Sequence, residues 1–204
     1  MPRIDDYINA CKLAVEKLSQ ASFDTIAERS GFKPSDDQSL RIPFLDRTYQ
    51  VSYPLFEFRD QTDSEKEIPI QEQVLILHYL MATEVPDLTG HWVSYREIPG
   101  ASFYFGAFVK RAVDPLKKVF GHNISGFSQA AKRLQAHQIE SGDAGFEFNV
   151  FPAVPLQLIL WEADDEFPAE ANILFDESIG GILSPEDVAW LAGMVVYRMI
   201  ALSR

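Results

Sequence analysis

Two stretches of this chain alternate apolar with polar residues, turn sharply and alternate again, and that pattern restricts the fold more than any other feature. Leu40, Ile42 and Phe44 alternate with Arg41 and Pro43, and Tyr49, Val51 and Tyr53 alternate with Gln50 and Ser52, with Asp46 to Thr48 between them as turn material. Phe146, Phe148 and Val150 alternate with Glu147 and Asn149, and Pro152 to Pro155 lead into the apolar run Leu156 to Trp161. A period of two sends successive side chains to opposite faces, and connections this short permit only antiparallel pairing. Each stretch is therefore expected to be a hairpin, the Leu156 strand lying centrally in its sheet. Pro43 has no N–H to donate, which places its strand at an edge or a bulge.

Further short strands are expected at Phe56 and Phe58, at Trp92 to Ile98 before the Pro99-Gly100 breaker, and at Ile173 to Phe175. The Trp92 and Leu156 strands are both apolar and flanked by breakers, so they are expected to share one sheet. Ser35 to Ser39 reads as a polar loop.

Helical periodicity fills the remainder. Ile4, Ile8, Cys11, Val15 and Leu18 line one face of a helix from Ile4 to Gln20, and a short helix from Phe23 to Arg29 ends at Gly31 and Pro34. Ile70 to Met81 is apolar on nearly every side, as in a helix buried all round. Phe105, Phe108 and Ala112 suit a helix that cannot run unchanged through Pro115, so two consecutive helices are expected there. Ser125 is positioned to cap another helix, and Ser184, Pro185 and Asp187 start the last one as cap, first-turn proline and approximate capping box.

Hairpins and helices interleaved without strand–helix–strand alternation predict an α+β fold: a mainly antiparallel sheet built from hairpins, with helices packed on it. The 204 residues fit a single domain spanning 1–204, and 47% hydrophobic residues supply an ample core.

Charge narrows the partners. Between Leu134 and Tyr197 there is no Lys or Arg, and the acids of that segment equal the whole formal charge of −12, since the others balance the 18 basic residues. A basic block, Lys110, Arg111, Lys117, Lys118, Lys132 and Arg133, lies just upstream. Facing each other, these blocks pair; apart, they solvate separate faces or seek ions. The acidic total disfavours nucleic acid, whose binding depends on Lys and Arg displacing counterions. No apolar stretch reaches the roughly 20 residues that cross a bilayer, and the N-terminus lacks a secretory pattern, so no membrane association is expected. Cys11 is the only cysteine, which excludes an internal disulfide and fits a reducing cytoplasm.

Few residues propose chemistry. His78 shares a helical face with Val74, Leu75 and Met81; a packed histidine is the plain reading, and a general base or cofactor ligand the functional one. The acidic run Glu162, Asp164, Asp165 and Glu166, continued by Asp176 and Glu177, is a solvated loop in the plain reading. In the functional one, Asp164, Asp165, Glu166 and Asp176 hold a cation, or His78 works with Asp164 or Asp176 in a hydrolase-type reaction. The calcium-loop order is absent, and so are phosphate loops, dinucleotide fingerprints and nucleophile elbows. The aromatic run Phe103, Tyr104, Phe105 and Phe108, beside Trp92 and Tyr95, is core packing in the plain reading and the lining of a pocket for a flat or apolar ligand in the functional one, with Tyr95, Arg96 and Tyr104 expected to present polar tips.

Leu77 to Leu80, the segment Gly90 to Gly100 (GHWVSYREIPG), Pro155-Leu156, Asp164 to Pro168 and Ile173 to Asp176 together resemble a bacterial and archaeal family, domain of unknown function 3786. The resemblance covers the chain from about Ile8 onward and supplies no mechanism. Some relatives look like fusions to a four-cysteine iron–sulfur segment, which implies anaerobic redox or corrinoid-linked company. Cys11 alone cannot form such a cluster, so any redox role here needs a partner or bound cofactor. The expectation is an intracellular module that binds a small molecule, cofactor or protein partner without catalysis, with the His78 hydrolase as the alternative and the cofactor unspecified.

Overall fold

The computed structural model describes residues 4–203, and their backbone gathers into two units. The first holds the chain up to Val85 together with Gly181–Leu183, and the second holds Pro86–Gly180 and the chain from Ser184. The architecture is α+β, and the antiparallel strands are divided between two sheets.

In the first unit, helices α1 (Ile4–Leu18) and α2 (Phe23–Ser30) precede a four-stranded sheet: β1 (Lys33–Asp36), β2 (Ser39–Phe44), β3 (Arg47–Ser52) and β4 (Phe58–Asp60), in sequential order. Ser22 caps α2 by accepting the Thr25 N–H, and Gly31, at φ 71°, ends it in the left-handed region that favours glycine. One sheet face is apolar and buried, through Leu40, Ile42, Phe44, Tyr49 and Val51. Helix α3 (Ile70–Leu80) follows, and seven of its 11 residues are buried, as its all-round apolarity predicts.

Sequence expectations change in this unit, and Phe56, expected in a strand with Phe58, lies outside β4 at φ 52°. The segment expected as a loop, Ser35 to Ser39, supplies the second half of β1, whose sequence KPSD is exposed throughout and so carries no burial period to read. Strand β2 is interior, between β1 and β3, rather than at an edge. Pro43 is tolerated because β1 pairs only with Ser39 to Arg41, leaving the proline beyond the end of that ladder.

The second unit carries a five-stranded sheet, in order β5-β9-β8-β7-β6, from β5 (Trp92–Ser94), β6 (His137–Ile139), β7 (Ala144–Phe151), β8 (Val154–Trp161) and β9 (Glu170–Asp176). Strand β8 is central, and it shares the sheet with the Trp92 strand, as the sequence predicts. The Trp92 strand is shorter than expected, because Ser94 and Glu97 form a capping box that turns Tyr95–Glu97 into a 3-10 turn.

From Phe105 the chain is helical without a break through α4 (Phe105–Phe108), a π-helical segment (Val109–Val113) and α5 (Asp114–Phe120). Pro115 is met by widening rather than by interruption: Asp114 N–H reaches back five residues to the Val109 carbonyl. Helix α6 (Ile124–Arg133) is capped by Asn123, whose side chain accepts the Gly126 N–H, and not by Ser125, which donates to Asn123 instead. Helix α7 (Pro185–Leu202) starts as predicted, with Ser184 accepting the Asp187 N–H and its stripe of Val188, Leu191, Val195 and Met199 buried. No helix of the described residues is long and apolar enough to cross a membrane.

Candidate functional site

The second unit assembles its most elaborate polar structure where β5 meets the end of β9. Register places Trp92 opposite Asp176. The Asp176 carboxylate, 2% exposed, accepts the Thr89 N–H at 3.1 Å, the Thr89 hydroxyl at 3.1 Å, the Gly90 N–H at 2.7 Å and the Ser178 N–H at 3.0 Å. Burial on its own raises a carboxyl, but the bonds from Ser178, Thr89 and Gly90 outweigh it and bring Asp176 down to about 2. Gly90 takes φ 71°, which fits it to the tight approach of its N–H. Glu177 N–H then donates to the His91 carbonyl, and the His91 ring stands 3.2 Å from the Glu177 carboxylate at the surface. Asp176 thus fastens the segment that begins the GHWVSYREIPG motif onto the sheet.

The 3-10 turn that follows divides its residues by face. Tyr95 points inward, stacked on Phe108 with ring centroids 4.2 Å apart and planes 4° from parallel, and its hydroxyl donates to the Pro185 carbonyl at 2.7 Å. Burial pushes that phenol up to about 12. Arg96 points outward, its guanidinium 3.8 Å above the Phe105 ring. Gly100, at φ 80°, opens the next 3-10 turn, Ala101–Tyr104. There Phe103 is 86% exposed, edge-on to Tyr104 at 5.0 Å. The charge of Glu186 raises the Tyr104 phenol. Behind this surface, Arg111 of the π-helical segment lies 4.2 Å over the Trp190 ring.

Of the residues picked out as ligand contacts, Arg96 and Tyr104 therefore reach the outside, whereas the Tyr95 hydroxyl is committed to the backbone. Asp164, Asp165 and Glu166 are exposed between β8 and β9. The Asp164 carboxylate accepts the N–H groups of Glu166 and Phe167, which hold its pKa below the usual range and close the loop on itself. Asp164 precedes β9 and Asp176 ends it, so the length of that strand, roughly 20 Å at its usual rise, separates them. Among the described residues no three His, Cys, Asp or Glu side chains are grouped to hold a metal ion. His78 belongs to α3 of the first unit and is half-buried, between the buried Leu77 and Tyr79.

The first unit has its own buried polar cluster. Tyr49 donates a short hydrogen bond to Glu72 of α3, and Arg47 pairs with Asp60 at 3.4 Å. Burial raises the Glu72 carboxyl, opposed by the Tyr49 bond and the Arg47 charge. The sequence signalled neither this cluster nor the Thr89–Asp176 anchor. Both join residues far apart in the chain, and each member taken alone is an ordinary strand, helix or turn residue.

No curated protein and no solved structure matches the chain. Among protein families, a match extends over residues 22–198, most of both units, and it includes the Asp176 anchor and the whole Arg96–Tyr104 surface. On that match the chain belongs to the family described as Domain of unknown function (DUF3786).

Proposed function

We infer that this is a binding module, taking a small molecule, cofactor or protein partner without transforming it, and that the Arg96–Tyr104 surface of the second unit is where it binds. One observation carries the reading: Phe103 stands 86% exposed, edge-on to Tyr104 and close in sequence to an arginine lying over the Phe105 ring. An exposed phenylalanine contributes nothing to its own core. Aromatic rings and arginine are the groups that dominate binding energy where partners meet. The Asp176 anchor and the stacked Tyr95 fix the turn that presents them, so the surface is held in place before anything binds.

The hydrolase alternative draws less support. A carboxylate held at about 2 is neither a proton donor at neutral pH nor a strong base, and Asp164 is likewise held in its charged form by backbone N–H groups.

Native mass spectrometry of the protein as purified tests the proposal. Arg96→Ala and Phe103→Ala should keep stability within about 0.5 kcal/mol, because both side chains are exposed, and should lose any mass the unaltered protein retains. A retained mass carried equally by both variants would place binding elsewhere.

A further inference from the structure

The first unit presents a second surface, independent of the aromatic one. The ladder sets Lys33 opposite Arg41, Arg41 opposite Gln50, and Gln50 opposite Arg59. Directly opposed residues share a face, so a single row crossing all four strands carries three cations and an amide on the side away from the buried Leu40 and Val51. Like charges directly opposite destabilise a sheet, yet Lys33 and Arg41 are so placed. All three cations are exposed, and none forms a salt bridge among the described residues. This is a local reversal of sign in a chain of net charge −12.

Beside the row lies a cavity of about 240 Å³ lined by Ser39, Gln50, Ser52, Glu57, Phe58 and Arg59. Its donors are available. Ser52 Oγ accepts the Glu57 N–H at 3.3 Å, which leaves its own proton for a ligand. Gln50 spends one amide hydrogen on Asp36 at 3.1 Å and keeps the other. The neighbouring acids are Asp36 and Glu57, and Asp36 is already engaged by Gln50 and by the Gln38 N–H.

We propose that this row and cavity bind the phosphate group of a small phosphate monoester, with Arg41 and Arg59 supplying charge and Ser52 and Gln50 supplying hydrogen bonds. A carboxylate group brings one negative charge and two acceptor oxygens, and Glu57 at the cavity wall opposes it as it opposes any anion, so the site needs a ligand that engages more of its donors. A phosphomonoester brings about −1.5 to −2 and three strong acceptor oxygens, which match two arginine forks, a hydroxyl and an amide. The row is about 10 Å from Arg41 to Arg59, two strand spacings, a span that two arginine side chains are long enough to cover.

Titration calorimetry at low ionic strength tests the proposal, with glycerol phosphate as probe, malonate as the carboxylate control and a short single-stranded oligonucleotide as the phosphodiester control. Glycerol phosphate should bind more tightly than malonate, and more tightly than the oligonucleotide on a per-phosphate basis. Arg41→Gln and Arg59→Gln should each weaken it about tenfold or more. Arg41→Gln should also leave the melting temperature unchanged or higher, since it relieves the opposition to Lys33, which separates lost binding from lost folding. Equal affinity in both variants, no heat with glycerol phosphate, or tighter binding of malonate or the oligonucleotide would each overturn the assignment.

Discussion

Glu72 in the first unit and Asp176 in the second are both buried carboxylates, 6% and 2% exposed, yet their pKa values move in opposite directions. Burial pushes each upward. Glu72 meets that push with the hydrogen bond from Tyr49 and the charge of Arg47 among its interactions, and its carboxyl stays raised. Asp176 meets it with four donors, three of them backbone N–H groups of a tight loop and a strand end, and falls to about 2. At Asp176 fixed donors outweigh burial, and at Glu72 burial outweighs the Tyr49 bond and the Arg47 charge. The two carboxylates also differ in placement: Asp176 fastens a loop to a strand end, whereas Glu72 sits in a helix against the Tyr49 hydroxyl.

The largest expected effect asks whether the two units fold as one. Leu191→Ala empties a fully buried position on α7 and should cost about 2–5 kcal/mol, as should Leu75→Ala on α3. All three tryptophans, Trp92, Trp161 and Trp190, lie in the second unit, so their fluorescence reports on that unit while far-ultraviolet circular dichroism reports on both. If the chain is one cooperative domain, Leu75→Ala shifts the fluorescence transition as much as the dichroism transition. A fluorescence midpoint indifferent to Leu75→Ala would make the units independent.

Asp176→Ala comes next, at about 2–4 kcal/mol, because it leaves the Thr89 and Gly90 N–H groups without their charged acceptor. Its pH signature follows from the depressed value. Stability from Asp176 is complete above the ordinary aspartate range near 3.8 and is lost as pH falls toward about 2. The variant should therefore lose less stability than the unaltered protein over that window, as chemical denaturation at pH 5 and at about pH 2.5 would reveal.

Tyr49→Phe removes the donor to Glu72 and should cost about 1–3 kcal/mol at neutral pH. Here the sign is reversed. A raised folded value means the Glu72 contribution is complete below the ordinary value of 4.5 and is lost as pH rises through the raised one. Glu72→Gln should abolish that loss, so denaturation midpoints that fall equally with rising pH in both proteins would detach the effect from Glu72.

What could be read in advance follows the reach of each signal. The hairpins, α3 and the start of α7 were legible because their information is local: a period of two, an all-round apolar run, a cap three residues from its partner. Strand β1 was not, since four exposed residues carry no burial period. Nor was the cation row, because Lys33, Arg41 and Arg59 meet only through strand register. The acidic run was conspicuous in sequence, but its individual acids differ by environment: Asp164 closes a turn and Asp176 anchors a loop, and only the donors around each, drawn from distant or backbone positions, distinguish them.

The smallest effect compares two serine caps. Ser22 accepts the Thr25 N–H at 3.2 Å and pairs with the Thr25 hydroxyl at 2.8 Å, all at the surface of the eight-residue α2. Ser184 accepts the Asp187 N–H at 3.2 Å and also donates at 2.6 Å to the Asp187 carboxylate, which is buried. Replacing Ser22 with alanine removes one acceptor that water can replace, and should cost about 0.5 kcal/mol. Replacing Ser184 removes the cap and also a donor to a carboxylate that water reaches poorly, so about 1 kcal/mol or more is expected. Ser184→Thr keeps both bonds and should recover most of that loss. Equal costs for the two alanine variants would mean that the Asp187 bond adds nothing to the cap, and that burial around the start of α7 is looser than its packing indicates.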